Sequence, residues 1–176
     1  WAMIALFRGC TVAITTRFDA EQTLATLERL KINIVYMVPT MMRRIWALPE
    51  DVRTGYDLSS LQTLWHLAAP CPAWLKECFI EWLGAEVIWE LYAGTEGQGT
   101  TMIRGDEWLT HKGSVGRPVE ACEIKIVGEA GETLPSGEVG EVFLRPLTGQ
   151  GTTYRYIGAE AKSIEGGWES LGDLGW

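Results

Sequence analysis

An apolar segment at Leu61–Leu67 stops at Ala68-Ala69-Pro70-Cys71-Pro72, a helical pattern runs over Ala73–Leu83, and a second apolar segment, Ala85–Leu91, follows directly after Gly84. Within the central pattern Leu75, Cys78, Phe79, Trp82 and Leu83 share one helical face, Pro72 suits the first turn, and Gly84 fits the C-terminal cap. Strand, helix and strand at this spacing imply a right-handed crossover between parallel strands of one sheet. Upstream, Asp19 is placed to cap a helix over Ala20–Leu30, where Leu24, Leu27 and Leu30 recur at helical spacing. Ile32–Val38 reads as a buried β-branched strand, Pro39 ends it, and Thr40 is expected to cap a second helix reaching about Leu48.

From Gly113 the texture changes to short strands, Glu123–Val127 and Glu141–Arg145, joined by a turn segment over 128–140. The expected fold is therefore α/β. A parallel-sheet subdomain over residues 1–112 is followed, from a boundary near Lys112 or Gly113, by part of a small β-rich, barrel-like subdomain over 113–176.

The stretch Glu90-Leu91-Tyr92-Ala93-Gly94-Thr95-Glu96-Gly97-Gln98-Gly99 carries the chemistry. An apolar strand stops at glycines that let backbone approach a ligand closely. Thr95 offers a hydroxyl for a phosphate oxygen, and Glu96 offers the carboxylate oxygen that magnesium prefers. Alone, the segment also reads as a glycine-rich surface turn with an incidental acid. The topology adds to it: the loops at 68–72 and 94–99 both leave carboxyl ends of parallel strands, where open α/β sheets place ligands.

With 47% apolar residues the chain is expected to be globular, and its net charge of −8 with scattered basic residues argues against a nucleic-acid surface. No apolar run reaches the roughly 18–20 residues that span a bilayer, and no secretion signal is apparent, so a cytoplasmic location is expected. Cys10, Cys71, Cys78 and Cys122 show no C-x-x-C spacing and read as free thiols. The chain opens at Trp1 and closes at Trp176 without a polar tail, and reads as an excerpt of a longer polypeptide.

Together these segments resemble the adenylate-forming superfamily of acyl-CoA synthetases, luciferases and adenylation domains. Arg17-Phe18-Asp19, Val38-Pro39-Thr40 and Ala68-Ala69-Pro70 look like its middle segments, and Tyr92-Ala93-Gly94-Thr95-Glu96 resembles the Tyr-Gly-x-Thr-Glu signature, with Ala93 where glycine is usual. Gly113-Ser114-Val115-Gly116-Arg117-Pro118, Gly137-Glu138-Val139-Gly140-Glu141-Val142 and Gly172-Asp173 match further landmarks in the same order. The phrases around Trp65–Pro72 and Glu107–Gly113 look most like fatty-acyl, steroid-acid and bile-acid CoA ligases.

The resemblance implies an ATP-dependent acid-thiol ligase that forms acyl-AMP from a carboxylic acid and transfers the acyl group to coenzyme A. It places Ala68, Ala69 and Pro70 beside the adenine, Tyr92 on its face, Ala93 and Gly94 near the nucleotide backbone, Thr95 at the α-phosphate, Glu96 on Mg2+ and Asp173 on the ribose. Tyr92 also reads as a core residue and Asp173 as a turn aspartate. His66 is either a border of the acyl pocket or a hydrogen-bonded structural histidine; Cys71 is either a depressed-pKa thiol or packing. Trp46, Trp65, Trp74, Trp82 and Trp89 are candidates for an apolar acid tunnel, or core. Neither a Ser/Thr/Gly-rich phosphate loop nor a catalytic-lysine domain is found here, and Gly149–Thr153 is not that loop, so the isolated chain is expected to be inactive. The alternatives are an adenylation domain that loads a carrier protein, or a non-catalytic nucleotide-binding or interaction fragment. The resemblance admits a homodimer, which no residue here demonstrates.

Overall fold

The computed structural model describes residues 2–149 and 153–176, so the reading of Gly149–Thr153 falls mostly outside the described residues. In chain order the elements are α1 (Ala2–Phe7), α2 (Ala20–Arg29), β1 (Ile34–Met37), α3 (Pro39–Trp46), α4 (Glu50–Thr54), β2 (Thr63–His66), α5 (Ala73–Leu83) and β3 (Ile88–Ala93). There follow β4 (Thr100–Arg104), α6 (Gly105–Thr110), β5 (Arg117–Pro118), β6 (Cys122–Val127), β7 (Gly140–Pro146), β8 (Lys162–Ile164) and β9 (Trp168–Gly175).

The first sheet runs β1-β2-β3-β4-β5, and the expected crossovers are present: β1, β2 and β3 are parallel, with His66 opposite Glu90. The chain then reverses, so β4 returns antiparallel beside β3 and β5 beside β4. Residues 94–99 are thereby the loop of a hairpin. The second sheet is antiparallel in the order β6-β7-β9-β8, with a register shift between Glu141 and Phe143.

Asp19 caps α2 by accepting a hydrogen bond from the Gln22 amide. Thr40 does not cap α3: Val38 holds the extended N-cap position and Pro39 occupies the first turn, where a missing N–H costs nothing. The polar stretch after Pro49 contains the short helix α4, and Arg53 from it lies 3.7 Å over the Trp46 ring, a cation–π contact that polarity alone does not announce.

One face of the first sheet packs under the helices, where Leu24, Met37, Met42, Ile45, Leu64, Leu75, Phe79, Ile88 and Ile103 form the core. β1 was expected to be buried throughout, yet Ile34 and Tyr36 point to the opposite face and are exposed. Strand alternation divides the apolar run between two faces, and the helices cover one. No helix among the described residues is long and apolar enough to cross a membrane.

Candidate functional site

The two loops singled out by the sequence lie side by side, because β2 and β3 are parallel neighbours and both point their carboxyl ends the same way. Ala68, Ala69 and Pro70 are exposed beyond the end of β2. Ala68 has φ +70, a left-handed conformation that disfavours a side chain, and such local strain is concentrated at binding loops. On β3, Ile88, Glu90 and Tyr92 alternate along one face from the core toward the loop.

The second sheet reaches this loop through β9. The Tyr92 hydroxyl donates to Asp173 Oδ2 at 2.7 Å, joining two motifs 81 residues apart. Burial first, and the Asp173 carboxylate second, hold the Tyr92 phenol well above its usual range, so it stays a donor. Leu171, two residues before Asp173, packs against the loop so closely that a Cβ on Gly94 would lie 2.6 Å from its Cδ1 and 2.9 Å from Glu96 Oε2. Here glycine is needed for close approach rather than for an unusual φ. Gly97 supplies the turn with φ +72.

Thr95 is exposed and Glu96 half-buried. Glu96 Oε1 accepts a hydrogen bond from the Tyr156 hydroxyl at 2.8 Å, which raises the Tyr156 phenol. Tyr154 stacks edge-on against Tyr156 at 4.9 Å, and burial first and Glu169 second push its phenol up to about 12. Tyr154, Tyr156, Ser163 and Glu169 line an open cavity of about 860 Å³ beside the loop. Sequence reading passed over both tyrosines; two aromatics in a Gly/Thr-rich stretch were the available signal.

Beneath the loops lies a buried polar cluster. Lys76 Nζ donates to Glu90 Oε2 at 2.6 Å and sits 4.5 Å over the Trp108 ring. His66 is fully buried, its Nε2 is 3.9 Å from Glu90 Oε2, and neither ring nitrogen has a hydrogen-bond partner. Burial first and Lys76 second push His66 down to about 3, so the ring is neutral. His66 is thus core rather than pocket rim, but without the hydrogen bond expected of a structural histidine. Burial first and Glu90 second push the Cys71 thiol up to about 12, the opposite direction from an activated thiol, and its side chain packs against the core. Lys76 and Glu90 were missed, although a lysine one turn ahead of Ile80 on an apolar helix face was a visible signal.

The tryptophans divide. Trp46, Phe79 and Trp82 pack together on the helical side, and Trp74 is exposed. Trp65 and Trp89 face each other at 5.1 Å on the other face of the sheet, leaving these two as the pair able to line an apolar channel there.

The AMP-binding enzyme family matches residues 1–156. The chain is 32% identical over 173 residues to a feruloyl-CoA synthase from an Amycolatopsis species, covering 96% of this chain and 34% of that protein. It superposes on an amide bond synthetase from Marinactinospora thermotolerans with a TM-score of 0.82 at 30% identity, covering 98% of this chain and 35% of that one. An anthranilate CoA ligase in complex with anthranoyl-AMP gives a TM-score of 0.76 at 29% identity, covering 94% and 32%. The chain spans about a third of the length of these relatives. With the family match running through both loops and two of the four strands of the second sheet, the chain belongs to the AMP-binding enzyme family, within the adenylate-forming superfamily that its motifs resemble.

Proposed function

We propose that this chain is the central part of an acid-activating ligase and that it binds the adenylate between its two sheets. The observation that carries this reading is the Tyr92–Asp173 hydrogen bond, because it brings the proposed adenine-facing and ribose-facing side chains to one point beside the Gly94–Gly99 loop. Residues 1–112 would form the nucleotide- and acyl-binding subdomain and 113–176 part of the β-rich one.

In this reading Tyr92 covers the base, Asp173 accepts hydrogen bonds from the ribose hydroxyls, and the exposed backbone of Ala68, Ala69 and Pro70 borders the adenine edge. Ala93 and Gly94 keep the loop low, and Thr95 hydrogen-bonds the α-phosphate. The donor set fits a magnesium ion: Glu96 is a half-buried carboxylate beside an exposed hydroxyl, and hard cations take oxygen ligands. Bound there, magnesium would neutralise charge on the phosphates. The Tyr156 hydroxyl occupies Glu96 Oε1, so Oε2 is the oxygen that would face the ion.

The reaction proposed for the whole protein has two steps. A carboxylate oxygen of the substrate bonds to the α-phosphorus of ATP while the bond to the bridging oxygen breaks and pyrophosphate leaves. The thiolate of coenzyme A then attacks the acyl carbon and AMP leaves. The acid is proposed to be bulky and apolar, since the Trp65–Trp89 pair offers an aromatic wall and the relatives' names specify feruloyl and anthranoyl groups. Steroid or fatty acids stay within this class. The likeness to an amide bond synthetase favours a second reading in which an amine is the acceptor; the thiol of a carrier protein is the other alternative. A cytoplasmic location and a homodimer complete the proposal.

The test is acid-dependent pyrophosphate exchange by the polypeptide carrying this chain. Glu96→Gln should lower it roughly 10²-fold, whereas unchanged exchange would remove Glu96 from the metal site. Supplying coenzyme A or an amine to the preformed adenylate distinguishes the two acceptors.

A further inference from the structure

The buried cluster below the loops is not used by the reading above, and it has an unusual arrangement. Lys76 stands in the first turns of α5, immediately after the Ala68–Pro72 loop, and Glu90 stands on β3, two residues before Tyr92. Their 2.6 Å contact is therefore a single bond between the helix that follows one ligand loop and the strand that precedes the other. We propose that the Lys76–Glu90 ion pair is a positioning device, which sets the spacing of the two loops that wall the nucleotide site. This rests on the functional reading only in naming the ligand between the walls; the mechanical tie is independent of it.

Three observations support a positioning role over simple surface charge pairing. Lys76 is fully buried and the Glu90 side chain is 12% exposed, so the pair is poorly screened and either partner left alone would be a buried uncompensated charge. Trp108 of α6 closes over the ammonium at 4.5 Å, which restricts the lysine to one direction. The register pairs Glu90 with His66 across β2 and β3, so the clamp also catches the strand that delivers the first loop.

His66 makes the tie distinguishable from generic packing. The groups facing it are Glu90, with a carboxylate oxygen 3.9 Å away, and Lys76; Cys71 completes the titratable set around the pair. In the native cluster Lys76 already neutralises Glu90, and both burial and Lys76 keep the imidazole neutral. Removing the lysine cation leaves a buried carboxylate whose nearest available cation is protonated His66. The clamp should then become pH-dependent.

The experiment uses the polypeptide carrying this chain and its variants Lys76→Met, Lys76→Arg and the double variant Lys76→Met/Glu90→Gln. Amide hydrogen exchange is followed over 68–72 and 91–97 against β1, and the His66 ring is followed by NMR. Lys76→Met is expected to speed exchange in both loops by about tenfold more than in β1, with partial restoration by Lys76→Arg. Its His66 ring should titrate at higher pH than in the native chain, with loop protection recovering as the ring takes its proton. The double variant, which removes both charges and so avoids a buried unpaired one, should show the loosened loops without that pH-dependent recovery. Loops that stay protected in the double variant, or a loss spread equally over β1, would overturn the proposal. AMP binding by the native polypeptide is measured in parallel: loosened loops together with no AMP binding would keep the tie and sink the nucleotide reading.

Discussion

Gly94→Ala probes the close approach of Leu171 on β9 to the Gly94–Gly99 loop. An alanine Cβ there would meet Leu171 Cδ1 at 2.6 Å, Leu171 Cδ2 at 3.0 Å and Glu96 Oε2 at 2.9 Å. Carbon atoms pack comfortably at about 3.5–4.0 Å, so the Leu171 methyls have to retreat by about 1 Å. Overpacking of this kind costs about 1–3 kcal/mol, and the lower half of that range applies because the offended atoms end a half-buried, flexible side chain. At about 2–4 °C per kcal/mol for a chain of this size, the melting temperature should fall by about 2–8 °C. Differential scanning calorimetry on Gly94→Ala, Leu171→Ala and their double variant tests the cause as well as the size. Shortening Leu171 removes the clash, so the double variant should recover about 1 kcal/mol relative to the sum of the singles. Gly97→Ala serves as a control: its φ of +72 makes it strained, but the nearest atom is Thr153 Cβ at 3.6 Å, so its cost should be indifferent to Leu171. If Gly94→Ala melts with the native chain, or if the two substitutions simply add, the close-approach argument is wrong.

Gly116→Ala should be far more damaging, because its φ is +88 and its Cβ would sit 1.9 Å from the Met102 carbonyl oxygen, a backbone atom of β4 that cannot turn aside. A loss of about 4 kcal/mol or failure to fold is expected in urea denaturation, and a loss below about 1 kcal/mol would refute it. A second expectation concerns pH. His66 is neutral in the fold, with its protonation pushed down to about 3, while the unfolded chain takes that proton near the ordinary value of 6.5. Below pH 6.5 the unfolded chain binds the extra proton, so stability falls as pH drops toward 3 and is fully present above 6.5. Between pH 7 and 5 the part due to His66 is about 2 kcal/mol. Urea unfolding of His66→Gln should lack that increment, and equal pH slopes in the two proteins would contradict it.

The parallel half of the first sheet was legible because its signals are local and agree with one another. Asp19, Pro39, Pro72 and Gly84 punctuate apolar runs, and short connections force parallel neighbours. The strand β4 and helix α6 were not read, although Thr101 and Ile103 alternate inward, because the run at Thr100–Arg104 is short and carries two threonines. The candidate loops were legible from glycine and small-residue spacing, but their surroundings were not. Nothing in the sequence says that Tyr92 meets Asp173, that Tyr156 covers Glu96 or that Leu171 presses on Gly94, since each contact depends on how the second sheet folds back on the first. Lys76 and Glu90 were unread for a different reason: a charge in an apolar face looks like an exception until its partner is seen across the strand.

The most direct test titrates AMP into the isotope-labelled chain and maps the amide shifts. Shifts confined to Ala68–Ala69, Tyr92–Gly97 and Gly172–Asp173, and abolished by Asp173→Ala with the fold intact, are expected if the adenylate sits between the two sheets. Saturable shifts elsewhere, or binding that survives Asp173→Ala undiminished, would contradict that placement.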